Sequence, residues 1–113
     1  GAHYTQTVAN AATTLDLYVR AADSNATLTV TRVPDTAALN SPANDYTGSS
    51  ISIGGMTDPI VFEVVVTSNG QSATHYIEVY HINGDTQMQS IWVQYVDGTG
   101  AAQIFYFIVY AST

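Results

Sequence analysis

The chain contains no cysteine and no lysine. The first absence excludes disulfide staples, thiol nucleophiles and thiolate metal centres. The second leaves Arg20 and Arg32 as the only permanently basic side chains, against nine acids, for a net charge of −7 and a pI near 4.3. A phosphate backbone has to be neutralised by Lys and Arg, so nucleic acid is excluded as a partner. Attraction to an anionic membrane surface fails for the same reason. The longest apolar run, Ile104–Ala111, is far shorter than the ~20 residues of a spanning helix, so membrane insertion is not expected. Charge of either sign is scarce: 10% of residues, where about 25% is usual. The polar surface must be built from Thr, Ser, Asn and Gln instead. That composition suits a secreted or cell-surface β-module, or a subunit held in an assembly. The lack of cysteine points to a bacterial, archaeal or phage source, and the expected location is extracellular or at the cell surface. Gly1-Ala2-His3 reads as the start of an excised domain and carries no information on the compartment.

What is present is alternation. Hydrophobic residues make up 46% of 113 residues, enough for one core, and 1–113 is read as one domain. Leu15, Leu17 and Val19 alternate with Asp16, Tyr18 and Arg20; Leu28 and Val30 alternate with Thr27, Thr29 and Thr31. Asp23-Ser24-Asn25 between them is turn chemistry, so Thr13–Ala21 and Ala26–Arg32 are expected to form a hairpin. Tyr4–Val8 is a further short strand. Val33–Ser50 reads as irregular, interrupted by Pro34 and Pro42, with a helical turn or an edge strand within Asp35–Asn40 and a short strand at Ser49–Ile53.

Two later hairpins follow, and they resemble each other. Ile60–Thr67 and Ser72–His81 flank Ser68-Asn69-Gly70-Gln71; Gln89–Val96 and Ala101–Ala111 flank Asp97-Gly98-Thr99-Gly100. A shift of 30 positions lays Val66 on Val96, Gly70 on Gly100, Tyr76 on Tyr106, Val79 on Val109 and Tyr80 on Tyr110, with Phe62 on Trp92. Any two hairpins share alternation and a turn glycine, so duplication is one reading of this match and common hairpin chemistry is the other. No stretch carries a convincing 3.6 period. Strands with turn signals every eight to twelve residues predict an all-β protein, an antiparallel sandwich of seven to nine strands.

Residues 4–81 carry Tyr4-Thr5-Gln6-Thr7-Val8 at the start, Leu15–Ala21 and Asn25-Ala26-Thr27-Leu28-Thr29-Val30 next, and Val64-Val65-Val66-Thr67-Ser68-Asn69-Gly70 with Tyr76–His81 at the end. In this order they resemble the cadherin-like, Ig-like β-sandwich domain of bacterial surface proteins. The resemblance implies a cadherin-like core over 4–81, an adhesive or spacer role, and no catalytic residues. It leaves an additional C-terminal hairpin, 88–111, without counterpart. The inward Tyr and the final basic residue usual in the closing strand of that family are here His75 and His81.

Chemistry-bearing constellations are few. With no Cys and no Gly-x-Ser-x-Gly elbow, and with His3, His75 and His81 in no telling spacing, nucleophilic catalysis has no candidate set and no enzyme is expected. Glu63 and Glu78 are the only carboxylate pair within one hairpin, and alternation groups the first with Val61 and Val65, the second with Tyr76 and Tyr80. His75 and His81 lie roughly 20 Å apart along an extended strand and cannot chelate one ion. No metal or other cofactor is predicted; a calcium site assembled from loops, among Asp23, Asp35, Asn44, Asp45, Asp58, Asp85 and Asp97, would leave no sequence pattern. Asn25-Ala26-Thr27 is a formal glycosylation sequon in a turn.

The candidate binding residues are aromatic. With Ile77, Val79, Phe105, Phe107 and Val109 inward, Tyr76, Glu78, Tyr80, Tyr106, Ile108 and Tyr110 point outward, and Trp92 and Gln94 are placed with them. Tyr76, Tyr80, Trp92, Gln94, Tyr106 and Tyr110 are therefore expected to form a face suited to protein contact or sugar stacking, or else a second buried face. The leading expectation is a non-enzymatic structural or adhesive module that contacts protein domains or copies of itself. A carbohydrate-binding module that holds polysaccharide on the aromatic face is the alternative, and a virion or pilus-type subunit the third.

Overall fold

A computed structural model describes residues 2–9, 13–21, 23–82, 89–96 and 102–112, the first strand (apart from Thr5) and the last two at the level of backbone and register. The strands are β1 (Ala2–Ala9), β2 (Thr14–Ala21), β3 (Thr27–Val33), β4 (Asp45–Ser52), β5 (Ile60–Ser68), β6 (Gln71–Ile82), β7 (Gln89–Val96) and β8 (Ala102–Ser112). They form two four-stranded sheets, ordered β1-β6-β5-β3 and β4-β2-β8-β7. Pairing is antiparallel throughout except that β1 runs parallel to β6, with Ala2 opposite His75 and Ala9 opposite Ile82. The chain is all-β, as alternation predicts. There is no helix among the described residues, and none long and apolar enough to cross a membrane.

The core follows the period of two. Leu15, Leu17, Val19 and Ala21 from β2 face Leu28 and Val30 from β3, Ile60, Phe62, Val64 and Val66 from β5, and Ile77 and Val79 from β6. Phe62 is completely buried, and its truncation to Ala would cost about 3–5 kcal/mol in transfer and cavity terms. Between β5 and β6 the turn is Asn69-Gly70, both with left-handed backbone (φ 54° and 75°). That geometry matches the right-handed twist of the flanking strands, and Asn and Gly adopt it at little cost.

Three sequence expectations are corrected. β2 and β3 are not a hairpin: they belong to different sheets, and Asp23-Ser24-Asn25 carries the chain from one to the other. β2 has a wholly apolar face and β3 presents Leu28 and Val30 on its own, and packing those faces together buries more than edge-to-edge pairing would. Here Asp23 accepts from the Asn25 N–H at 2.9 Å, and Asn44 donates to the carbonyls of Asp23 and Ala26 at 2.8 and 3.0 Å. Second, the stretch read as irregular up to Ser50 contains most of β4. Its alternation is hidden because Gly48 takes an inward position and a bulge shifts the register between Leu15 and Leu17. Ser50 has φ 53°, and its N–H is held by Asp16 Oδ1 at 2.7 Å. Gly48 leaves room there for the Tyr46 ring and the end of Ile51, both of which a Cβ would push aside.

Third, Asp35–Asn40 holds neither a helical turn nor a strand, yet it serves the sheet. Asn40 accepts from the Val30 N–H at 2.8 Å and donates to the Leu28 carbonyl at 3.2 Å. Leu39 N–H bonds the Val30 carbonyl, and Leu28 and Ala43 exchange both backbone bonds. Side chain and loop together occupy the outer edge of β3. Arg32 fixes the far end of the same strand, bonding Asp35 Oδ2 through Nε (2.9 Å) and Nη2 (2.6 Å) and reaching the Ser52 carbonyl on the other sheet.

Candidate functional site

The six aromatic-face residues divide between the two sheets. Alternation fixes which face of a strand a residue occupies, but not which sheet the strand joins. Tyr76 and Tyr80 lie on β6, where Ile77 and Val79 are wholly buried and Tyr76, Glu78 and Tyr80 are half-exposed on the outer side. Trp92 and Gln94 lie on β7, and Tyr106 and Tyr110 on β8, in the opposite sheet. There the ladder sets Trp92 opposite Tyr106 and Gln94 opposite Ile104. The side chains of these four lie outside the described residues. A faithful copy of the β5–β6 hairpin, in which Phe62 opposes Ile77, would have set Trp92 opposite Phe107, so the two hairpins differ by one residue in register.

The outer face of the β1-β6-β5-β3 sheet is built in rows. Thr31, Glu63 and Tyr76 form one, in register with His3; Val33, Val61 and Glu78 form the next, in register with Thr5; Thr29, Val65 and Thr74 form a third. Tyr80 follows Glu78 on the same face, in register with Thr7. Val61, Val65, Tyr76 and Tyr80 are all half-exposed, an apolar strip on the outside of a sheet. Tyr76 and Tyr80 stand roughly 13 Å apart along the strand. Glu63 and Glu78 occupy diagonal positions of this same face.

The outer face of the other sheet continues the same logic. The register sets Arg20 opposite both Asp45 and Tyr106, Tyr18 opposite Thr47 and Ile108, and Asp16 opposite Tyr110. An open depression of about 170 Å³ lies here, lined by Asp16, Leu17, Tyr18, Thr47, Gly48 and Ser49. Tyr18 and Asp16 were not singled out by sequence. Their outward parity with Arg20 was visible, but the bulge that opens the depression was not.

Two histidines behave differently from one another. His75 is wholly buried on the inner face of β6, and burial pushes its pKa down to about 4. His81 is half-exposed at the end of β6 and bonds Asp58 twice. Of the acids considered for a loop-built calcium site, Asp35 is engaged by Arg32, Asp58 by His81, and Asp23 by its own turn and by Ser68. Asp85 and Asp97 lie outside the described residues. Among the described residues, no three His, Asp or Glu side chains converge as a metal-binding group. A comparison of the chain with protein-family models, curated proteins and solved structures finds no match.

Proposed function

We propose that this chain is a non-enzymatic extracellular surface module of Ig-like, cadherin-like sandwich architecture, with an adhesive or structural role. The architecture is supported by the strand order. β3, β5 and β6 stand as the C, F and G strands of an Ig-type sandwich, with β2 and β4 as B and E opposite them. On this reading β8 occupies the flank of β2 where a first strand would otherwise pair.

The observation that carries the role is the outer face of the β1-β6-β5-β3 sheet. Val61, Val65, Tyr76 and Tyr80 present apolar area there, and Glu63 and Glu78 are the charges among them. Tyrosine combines contact area with a polar tip and loses little conformational freedom on binding. The partner is a protein domain with basic side chains opposite the two glutamates. A photo-crosslinker placed at Tyr76 or Tyr80 tests this on the surface of the producing cells. One protein product, lost when Glu63 and Glu78 are both changed to Lys, is expected. Products that survive the charge reversal would refute the reading.

A second reading is favoured by the depression beside Tyr18. A ring flanked by Asp16, Thr47 and Ser49, in register with Ile108 between the Tyr106 and Tyr110 positions, suits a sugar stacked on an aromatic with hydroxyls held at the rim. Retention on a glycan array that disappears in Tyr18→Ala would establish the polysaccharide reading in place of the first.

A further inference from the structure

Of the six asparagines in the chain, four lie among the described residues, and three of those have visible work in the fold. Asn40 holds the edge of β3, Asn44 bonds the carbonyls of Asp23 and Ala26, and Asn69 supplies left-handed backbone to its turn. Asn25 does none of this. Its backbone is not left-handed. It lends its turn only the main-chain N–H that Asp23 Oδ1 accepts, a group that any residue but proline would supply. Its side chain is exposed, and among the described residues the carboxamide holds no hydrogen bond. Turn chemistry therefore accounts for Asp23 and leaves the choice of asparagine at 25 open.

The neighbouring residues supply a second, independent observation. Asn25 alone of the six has a hydroxyl residue two places on, Thr27, and it alone has an acid two places before, Asp23. Asn-x-Thr is the acceptor pattern for N-linked sugar, in which the hydroxyl fixes the chain so that the carboxamide is presented. A carboxylate two places before the acceptor adds an anionic handle for a basic side chain of the transferring enzyme. The setting also has room for a large group. Asp23, Ser24 and Asn25 are all exposed, and their turn crosses from one sheet to the other at an end of the sandwich, beside Ser68.

We propose that Asn25 is an N-glycosylation site, read by an oligosaccharyltransferase through Asp23 and Thr27. The donor class is an oligosaccharide carried on a polyprenyl diphosphate. Asn25 Nδ2 forms a bond to the anomeric carbon of the first sugar, and the bond from that carbon to the diphosphate oxygen breaks. The diphosphate leaves with the electron pair, and Nδ2 gives up one proton to a carboxylate of the transferase. In the folded chain Ala26 is buried, its N–H bonds the Asp23 carbonyl at 3.0 Å, and its own carbonyl accepts from Asn44 at 3.0 Å. The 23–27 segment so held cannot lie extended in an enzyme groove. The acceptor is the exported chain before this turn closes, and folding then sets the glycan outward. The inference rests on the extracellular reading, because the donor and its transferase meet chains that are leaving the cytoplasm.

The test is mass spectrometry of the chain recovered from the surface of the producing cells. Cleavage after Arg20 and Arg32 releases residues 21–32 as one peptide, and one oligosaccharide is expected on it, at Asn25. Asn25→Gln and Thr27→Val are expected to remove the sugar entirely, and Thr27→Ser to keep it. Asp23→Asn retains an oxygen for the Asn25 N–H but not the charge, and occupancy should fall severalfold. Circular dichroism of Asn25→Gln that matches wild type separates loss of the acceptor from loss of the fold. A surface-located chain whose 21–32 peptide is unmodified, or sugar that persists in Asn25→Gln, would overturn the inference and leave the extracellular reading standing. Full occupancy in Asp23→Asn would overturn the part assigned to Asp23. A chain found only in the cytoplasm, unmodified, would overturn both the inference and the reading it rests on.

Discussion

Asp58 accepts two hydrogen bonds from His81, one from the backbone N–H and one from Nδ1, each at 2.8 Å. The pair ties the turn before β5 to the last turnout of β6. Burial pushes the Asp58 pKa up, but the side-chain and backbone bonds from His81 and its charge outweigh this, and the carboxyl stays below its ordinary value. A depressed carboxylate stabilises the fold above its unfolded pKa, and that stability is lost as pH falls through the folded value. Asp58→Ala is expected to lose about 1 kcal/mol at neutral pH, allowing for its partial exposure. Urea unfolding should show the difference from wild type vanish in acid, below the folded pKa. His81→Ala should cost less, since the backbone bond survives.

His75 predicts an acid sensitivity of its own. In the unfolded chain its imidazole titrates near 6.5; in the fold, burial holds it neutral down to about 4. Between those values the unfolded state binds the extra proton, so stability falls as pH falls across this window, by about 3 kcal/mol in all. His75→Leu is expected to flatten the dependence of the urea midpoint on pH between 6.5 and 4. An NMR titration showing the His75 ring protonating above pH 6 would contradict this.

The Tyr46 ring lies over Gly48, and burial raises its phenol pKa. Gly48→Ala forces the ring aside. It should destabilise by about 1–3 kcal/mol, the usual range for overpacking. Spectrophotometric titration should show the Tyr46 phenol ionising at lower pH in the variant, as its ring moves toward water.

Asn40→Ala removes both side-chain bonds to β3 and leaves the Val30 N–H and Leu28 carbonyl without them. About 2 kcal/mol of stability should be lost, since part-buried backbone groups are left unsatisfied. The bared edge should also increase aggregation on heating, measurable by light scattering.

Face was legible in the sequence wherever one side of a strand is uniformly apolar. Alternation sets Leu15, Leu17 and Val19 on one face of their strand and Ile77 and Val79 inward on theirs, and all five are buried. The outward setting of Tyr76, Glu78 and Tyr80 came from the same rule. Sheet membership was not legible, because it depends on which apolar faces meet across the core. Alternation alone therefore predicts a β2–β3 hairpin and groups six residues that two sheets divide. β4 was obscured by Gly48 and the bulge at Ser50, which break its period. The Asp58–His81 pair left no local signal, as its two members are brought together only by the β5–β6 pairing.

The parallel ladder between β1 and β6 bears on the order of events when the chain folds. Two pairings join strands far apart in the chain: β8 meets β2, with Thr14 opposite Ser112, and β1 meets β6, where Ala2 reaches His75 only after roughly seventy intervening residues have been arranged. Closing so long a loop costs entropy before any ladder bond returns it, and such non-local contacts slow folding. β6 must already be seated on β5 before β1 has an edge to dock on. β1 is therefore expected to settle late, and until it does, the long edge of β6 stands open to whatever strand arrives first.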